Sequence, residues 1–458
     1  MKKMVLAITL LMLLFTACTG KTSAQGQGST PEAAASFLDS GNAYYKKGDL
    51  DKAIADYTQA ISIDPKSAIA YTNRGNAYYD KGEFDSAIAD YTQAISIDPN
   101  DARAYIERGS AYDDKGDSDR AIADYIHAIK LNPNAARAYI ECGIAYSRKG
   151  DIDRAIVHFT QAIGIDPKNT RAYIERGNAY DNKGDTGQAI ANYTQAINID
   201  PNYARAYSER GIAYSRKGDT DQAITDYTQA ISLNPNYAAA YSGRGSAYAN
   251  KGECDKAIAD ITRALGINPN NAAYWFNRGL TYDDKGDPDN AIVDWTQAIR
   301  LEPNVAGAYI NRSIAYANKG DLDKAIADFT QVITLEPNYA AWAYTSRGRA
   351  YGDKGDLDQA IKDYTEAISI DPNNASTYNS RAFVYFKKGD NNQAMADLDV
   401  ALKIDPNHID TLNHRGDLYF KMGDYGRAIT DWESVLKIDP NNADAKWYIE
   451  RAQKERGQ

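Results

Sequence analysis

Small, aromatic and branched aliphatic residues recur along this chain at the three-to-four spacing of a helical face. In one stretch Tyr71, Gly75 and Tyr78 share the face of a predicted helix. Further along the same stretch, Ala87 and Tyr91 lie on the apolar face of a second helix. The same two faces return again and again at a fixed interval. The pattern therefore predicts pairs of amphipathic helices arranged in tandem.

Prolines mark the period of this pattern. Twelve of them follow one another at intervals of 34 residues, with a single interval of 35. When each proline is placed at position 32, the first copy begins at Ala34; position 11 is Tyr, position 15 Gly and position 20 Ala in all twelve copies. Position 8 is Gly in ten copies and position 24 is aromatic in ten. A single helix pair cannot bury its own apolar faces, so the copies are expected to stack. The prolines are Pro65, Pro99, Pro133, Pro167, Pro201, Pro235, Pro269, Pro303, Pro337, Pro372, Pro406 and Pro440.

This succession of Gly, Tyr, Ala, aromatic residue and Pro resembles the tetratricopeptide repeat. The resemblance covers residues 34–442 and implies an all-α fold, a right-handed superhelical α-solenoid of tandem helix–turn–helix repeats. Residues 443–458 depart from the pattern and predict a C-terminal capping helix. Between paired helices, Lys-Gly-Asp predicts a glycine in the left-handed conformation followed by an aspartate N-cap, as in Lys149–Asp151. The extra residue in the 35-residue interval, near Trp342, predicts either a bulge with a kink or a tolerated insertion.

Two further positions predict ion pairs. Position 7 is Arg in ten copies and position 23 is Asp in ten, which predicts a salt bridge between the two helices of a copy, as in Arg74 with Asp90. One copy loses both partners together, with Cys142 and His158 in their places. Because each Arg has a matched Asp, a ladder of arginines that binds a polyanion is the weaker interpretation. Four successive copies also carry Arg at position 2 with a Glu four residues later, which predicts pairs within one helix. These arginines are Arg103, Arg137, Arg171 and Arg205.

The chain opens with the features of an export signal. Lys2 and Lys3 precede an apolar run from Met4 to Phe15, which is shorter than the roughly 20 residues that span a bilayer. Small residues follow the run. Residues 1–17 are therefore predicted to be a cleaved signal peptide.

Directly after the predicted cleavage site stands Cys18. The four residues that end there, Phe-Thr-Ala-Cys, resemble the lipobox of bacterial lipoproteins, although Phe15 departs from the usual Leu. The resemblance implies lipidation of Cys18, a membrane anchor, and, with Thr19 following, localisation to the outer membrane of the bacterial cell envelope. An ordinary secretory signal with an incidental cysteine is the alternative. Residues 18–33 are rich in Gly, Ser, Thr and Gln and predict a flexible tether.

Charge and the reactive residues exclude several function classes. The net charge of -10 leaves no basic excess for a nucleic-acid partner. Four histidines lie in different copies without a metal or catalytic motif, and Cys142 and Cys254 are expected to be free thiols. Since the repeats use every long segment, no separate catalytic domain has room. The sequence predicts no catalytic residue, no cofactor and no metal site, and the chain is not expected to be an enzyme.

The resemblance implies that positions 2, 5, 9, 12 and 13 of the first helices line a concave groove that binds a protein or peptide. Several copies carry apolar residues at positions 5 and 9, and those of the eighth and ninth copies are expected to form one patch. The carboxylate clamp known in some family members is incomplete, since Leu38 and Glu107 replace two of its basic residues. A structural spacer or surface adhesin is the alternative function. The candidate partner-binding residues are Ile106, Ile140, Ile174, Phe276, Leu280, Ile310 and Ile314.

Overall fold

Paired α-helices joined by short turns make up the structure. The computed structural model describes residues 31–457, and within that range no β-strand occurs. Each copy contributes a first helix and a second helix that pack on each other, and each second helix packs on the next first helix within its unit. The all-α solenoid of tandem helix pairs is therefore confirmed. The predicted signal peptide, most of the predicted tether and Cys18 lie outside the described residues.

The chain divides into two compact units at residues 201 and 202. In addition, none of the helices between residues 31 and 457 has the length and apolar character that a bilayer span requires. The first unit contains α1 (Pro31–Lys46), α2 (Leu50–Ile63), α3 (Ala68–Asp80), α4 (Phe84–Ile97), α5 (Ala102–Asp114), α6 (Ser118–Leu131), α7 (Ala136–Arg148), α8 (Ile152–Ile165), α9 (Thr170–Asn182) and α10 (Thr186–Ile199). The second contains α11 (Ala204–Lys217), α12 (Thr220–Leu233), α13 (Ala238–Asn250), α14 (Cys254–Ile267), α15 (Ala272–Asp284), α16 (Pro288–Leu301), α17 (Ala306–Asn318), α18 (Leu322–Leu335), α19 (Ala340–Lys354), α20 (Leu357–Ile370), α21 (Ala375–Lys388), α22 (Asn391–Ile404), α23 (Ile409–Lys421), α24 (Tyr425–Ile438) and α25 (Ala443–Arg456).

The turn between the paired helices is built on one glycine and one acid. All twelve glycines at position 15 have a left-handed backbone, as at Gly150 with φ 81°. The following Asp accepts a hydrogen bond from the backbone N–H three residues on, so Asp151 caps α8 through Arg154 at 3.2 Å. The two copies that carry Glu83 and Glu253 instead show no side-chain cap. The predicted turn chemistry is confirmed, and the shorter side chain of Asp suits the cap.

The close approach of the two helices explains the glycine at position 8. A Cβ atom built on Gly109 would lie 2.7 Å from Cε1 of Tyr125, and one on Gly177 would lie 2.5 Å from Cε1 of Tyr193. Carbon atoms pack comfortably only at about 3.5–4.0 Å. The aromatic ring at position 24 therefore lies flush against a helix that lacks a side chain there.

The eleventh copy shows how the two positions depend on each other. It replaces the glycine with Ala382 and, at the same time, the aromatic residue with Leu398. Both side chains are buried in the same core cluster. Because the branched aliphatic side chain is smaller than a ring, it leaves room for the added methyl group.

A partly buried salt bridge joins the helices within a copy and reaches the copy before it. Arg74 donates from Nε and Nη2 to the carboxylate of Asp90 at 2.7 Å each, and from Nη1 to Oγ1 of Thr58 in the preceding copy at 3.1 Å. The rings of Tyr71 and Tyr78 flank the guanidinium at 5.7 and 5.9 Å. The predicted pairing is confirmed. Pairs of the same kind are Arg108–Asp124, Arg210–Asp226, Arg244–Asp260, Arg278–Asp294, Arg312–Asp328, Arg347–Asp363, Arg381–Asp397 and Arg415–Asp431.

The extra residue of the 35-residue interval lies at the start of the first helix of the tenth copy. A 3₁₀ turn at Pro337–Tyr339 leads directly into α19, which has 15 residues, whereas α17 has 13. The insertion does not interrupt the contact between copies, because Nη1 of Arg347 in the tenth copy still donates to Oγ1 of Thr330 in the ninth at 2.8 Å. Of the two interpretations, the tolerated insertion is confirmed and the bulge was wrong, because α19 is continuous and begins one residue earlier in its copy than α17 does.

Candidate protein-binding groove

Positions 2, 5, 9, 12 and 13 of the first helices form what we call the groove face. Aromatic residues of the second helices lie beneath it and connect to it. The buried Tyr91 donates a hydrogen bond to Oδ1 of Asn76 at position 9 over 2.8 Å, and Tyr193 donates to Asn178 over 2.7 Å. A polar residue at position 9 therefore satisfies the hydroxyl of a core tyrosine as well as facing the groove.

The structure corrects the placement of three predicted groove residues. Ile106, Ile140 and Ile174 at position 5 are only 6%, 3% and 0% exposed. The first two belong to the core cluster that contains Tyr125 and Phe159. These three side chains are buried among the helices of the first unit, so they do not offer surface to a partner.

The four candidates in the eighth and ninth copies are more accessible. Phe276, Leu280 and Ile310 are half-buried, and Ile314 is 40% exposed. The ring of Phe276 packs towards Gly307 of the next copy, where an added Cβ would lie 3.4 Å from Cζ. Of the seven predicted residues, Ile314 presents the most apolar surface.

Whether position 9 is apolar depends largely on the residue at position 24 of the same copy. Where position 24 lacks a hydroxyl, position 9 is not needed to accept a hydrogen bond from one, and four of the five large apolar residues at position 9 occur in such copies. The exception is Ile212, which lies above Tyr227. Packing therefore accounts for part of the apolar pattern on the groove face. The four pairs are Ile144 with Phe159, Leu280 with Trp295, Ile314 with Phe329, and Phe383 with Leu398.

Sequence reasoning missed an exposed tryptophan next to Ile314. Trp342, at position 2 of the tenth copy, is 38% exposed, and its ring meets that of Phe329 edge-on at 5.7 Å. These three residues, with Arg349, line a recess of about 420 Å³ between the ninth and tenth copies. The irregular interval of 35 residues was the signal that marked this site.

In the first unit, arginines at position 2 of the groove face pair with glutamates at position 6. Arg137 donates to both carboxylate oxygens of Glu107 at 2.7 and 2.8 Å, and Arg171 donates to Glu141 at 2.7 and 3.1 Å. These pairs join successive copies, whereas the sequence predicted pairs within one helix; the partner in the preceding copy allows a bidentate geometry that the same helix does not. Within one helix, Arg137 lies 4.0 Å from Glu141. The predicted pair within one helix is therefore confirmed for Arg137, and also for Arg103 with Glu107 at 3.7 Å and Arg205 with Glu209 at 3.3 Å. It was wrong for Arg171, which pairs with Glu141 of the preceding copy.

The fourth copy replaces the salt bridge with an uncharged pair. Sγ of Cys142 lies 3.8 Å from Nε2 of His158, and the His158 ring stacks on Tyr146 at 5.2 Å. Burial raises the pKa of the Cys142 thiol to about 12 and lowers the pKa of His158. Both groups are therefore neutral near pH 7. Cys142 and Cys254 are free thiols, as predicted.

An unusual carboxyl group lies on the groove face of the last copy. Asp417 is half-buried beside Phe383, His414 and Leu418, and burial raises its pKa to about 6. The folded chain thus binds this proton more tightly than the unfolded chain. The corresponding stability is fully present below about pH 4, the ordinary pKa, and is lost as the pH rises through 6.

We therefore expect Asp417→Asn to raise the melting temperature at neutral pH, because it removes a carboxylate that must be charged while half-buried. With solvent screening the gain should be about 1 kcal/mol or less. Thermal unfolding of both proteins measures the difference, which should vanish below about pH 4, where the aspartate is protonated. An equal difference at both pH values would contradict the assignment.

Matches to repeat families run along the chain. A search of curated proteins found no match. The family described as TPR repeat matches residues 41–82, 75–116, 109–150, 177–218, 216–252, 348–389 and 384–423. Three families described as Tetratricopeptide repeat match residues 136–169, 238–271, 272–305, 306–339 and 409–442.

Solved structures of repeat proteins are also similar to parts of this chain. MamA is 31% identical over 35% of this chain and 94% of its own, with a TM-score of 0.33. YrrB, described as a TPR protein with an unusual peptide-binding site, is 24% identical over 40% of this chain and 95% of its own, with a TM-score of 0.33. PilF of Pseudomonas aeruginosa is 18% identical over 47% of this chain and 97% of its own, with a TM-score of 0.42. Scores this low support no argument about function.

The family matches together cover most of residues 41–442. They agree with the 34-residue period, the paired helices and the left-handed glycine in every turn. Proteins built from these repeats bind proteins or peptides. The chain is a protein-interaction scaffold that belongs to the tetratricopeptide repeat family.

Proposed function

We propose that this scaffold holds a protein or peptide against its groove face while a lipid on Cys18 anchors it to the bacterial envelope, where it takes part in envelope assembly. One observation carries the binding proposal. Exposed apolar side chains gather on the groove face of the ninth to eleventh copies, namely Ile314, Trp342 and Phe383. Burial of a large apolar side chain contributes roughly 1.5–3 kcal/mol, so a partner that covers this surface gains substantial binding energy.

The contrast between core and groove supports the same proposal. Positions 11, 15 and 20 are identical in all twelve copies, while positions 9, 12 and 13 differ from copy to copy. A uniform core with an individual surface is what a scaffold with a specific partner requires. Among the described residues, all but one of the large apolar side chains of the groove face that are at least 38% exposed lie in the second unit, and Ile69 is the exception.

A selected peptide tests the groove directly. Short peptides that bind the mature chain are selected from a random library, and their affinity is measured by fluorescence anisotropy. The double variant Ile314→Asp and Phe383→Asp is expected to weaken binding at least about tenfold, because it places carboxylates in the apolar contact. The melting temperature should change little, since both side chains are already exposed.

The matched control places the same charges on second helices. Val293 is 56% exposed and Val400 is 38% exposed, and neither lies on the groove face. Val293→Asp with Val400→Asp should leave the affinity unchanged. Equal affinity of the groove variant and the wild type, or equal loss in both variants, would count against the groove.

Lipid attachment requires a separate experiment in cells. The wild-type chain is expected to incorporate radiolabelled fatty acid and to sediment with membranes, and Cys18→Ser should abolish both. A chain that is exported and cleaved without fatty acid would indicate an ordinary secretory signal instead. This result would leave the binding proposal intact.

The uniformity of the copies favours one alternative, a structural spacer or surface adhesin. Deleting residues 68–135 or residues 306–374 removes two copies in either case, and a spacer should respond to both deletions equally. The groove proposal predicts that only the second deletion abolishes peptide binding, because it removes Ile314 and Trp342. Pull-down with the selected peptide distinguishes the two outcomes.

A further inference from the structure

We infer that the groove face of the tenth to twelfth copies recognises an acidic segment of a partner protein, with carboxylates flanking an apolar side chain. The inference rests on the proposed function, because it names the class of partner for the same groove. It is carried by the basic and aromatic residues at positions 9, 12 and 13 of these copies.

Three basic residues of this surface are exposed and have no acidic partner. Arg349, Lys387 and Lys421 form no ion pair with any residue between 31 and 457. Nζ of Lys387 lies 4.6 Å from the ring centre of Phe383, and Nζ of Lys421 lies 4.2 Å from that of Phe386. A cation held over a ring is oriented while its remaining donors stay free for a ligand.

These cations and rings form one continuous surface. Arg349, Phe383 and Lys387 line a recess of about 230 Å³, together with His414 and Asp353. Phe383 also borders a small cavity with Phe386 and Asp417. The recess therefore offers an apolar floor for one side chain of a partner, with basic groups around it. In the recess itself, two cations, Arg349 and Lys387, face one carboxyl group, that of Asp353. Burial lowers the pKa of His414, which keeps it neutral.

The groove face of the first unit is different in this respect. Four of its five basic residues pair with acids of the chain itself, as Arg137 does with Glu107 and Arg148 with Asp113, and Lys46 is the exception. A partner carboxylate would have to displace these internal acids. In a chain with a net charge of -10, unpaired cations clustered at the last copies favour an acidic partner at that site.

Two fluorescent peptides test the inference on the mature chain. They share one central aromatic residue, which is flanked by Asp and Glu in one peptide and by Lys in the other. The acidic peptide is expected to bind at least about tenfold more tightly, and added salt should reduce the difference. The double variant Lys387→Glu and Lys421→Glu should remove the preference, with about tenfold loss for the acidic peptide.

A control variant makes the same charge change away from the groove. Lys362 and Lys403 are exposed on α20 and α22, which are second helices. Lys362→Glu with Lys403→Glu should bind the acidic peptide as the wild type does. Circular dichroism confirms that both variants keep their helices.

Four outcomes would overturn the inference. They are equal binding of the two peptides, an equal loss in the control variant, an unchanged acidic preference in Lys387→Glu with Lys421→Glu, and tighter binding to vesicles of anionic lipid than to the acidic peptide. If library-selected neutral peptides still bind and Ile314→Asp with Phe383→Asp abolishes their binding, the groove function stands and only the acidic preference is wrong. If no peptide of any charge binds, the proposed function fails as well.

Discussion

Replacing Trp295 with Ala is expected to lower the free energy of unfolding of the second unit by about 3–5 kcal/mol. The side chain is fully buried and fills the space between α15 and α16. It lies against Gly279, where an added Cβ would be 2.6 Å from Nε1. Because the glycine has no side chain, nothing can move in to close the cavity. Urea denaturation followed by circular dichroism measures the loss.

Trp295→Phe is the matched control, since the fourth copy already packs Phe159 on Gly143. Nε1 of Trp295 has no hydrogen-bond partner among the described residues, so the phenyl ring loses no hydrogen bond. This variant should lose less than about 1.5 kcal/mol. Equal losses in the alanine and phenylalanine variants would contradict the role of the ring in holding the two helices together.

Replacing Asp363 with Ala is expected to cost about 3 kcal/mol. Asp363 is only 2% exposed, and its carboxylate accepts hydrogen bonds from Nε and Nη2 of Arg347 at 2.7 and 2.8 Å. Without it the largely buried guanidinium keeps its charge but loses its counter-ion. Nη1 of Arg347 still donates to Thr330, which places the expected loss at the lower end for buried ion pairs. Chemical denaturation is again the measurement.

The fifth copy supplies the control for this prediction. There Asn192 takes the place of the aspartate, accepts from Nε of Arg176 at 2.7 Å and donates to the carbonyl oxygen of Gln188 at 2.8 Å. Asp363→Asn should therefore lose clearly less stability than Asp363→Ala. An equal loss in both variants would show that the hydrogen bonds from Arg347 to the side-chain oxygen at position 363 do not stabilise the contact between the two helices.

Repetition made most of the fold predictable from the sequence. A feature that recurs in every copy, such as the Gly and Asp of each turn, must serve the geometry that all copies share. The ion pair between Arg74 and Asp90 was predictable for the same reason, because one copy loses both members together. The contact between Ala382 and Leu398 shows the same kind of dependence, because both residues depart from the repeat pattern in the same copy.

The candidate site was less predictable, because it depends on how copies meet rather than on what each copy contains. Position 5 is buried in most copies whatever the size of its side chain, as Thr72 and Ile140 show, whereas Phe276 remains partly exposed. Arg137 has two glutamates within reach, and only the structure shows that the one in the preceding copy is preferred. Trp342 occupies position 2, where no other copy has an aromatic residue, so the repeated pattern could not predict it.

The central claim is that the chain binds its partner on the groove face of the second unit. Hydrogen–deuterium exchange of the mature chain, with and without the selected peptide, tests it most directly. We expect slower exchange in α17, α19, α21 and α23, the first helices that carry Ile314, Trp342, Phe383 and His414. Protection confined to the second helices α18, α20, α22 and α24, or to the first unit, would contradict the account.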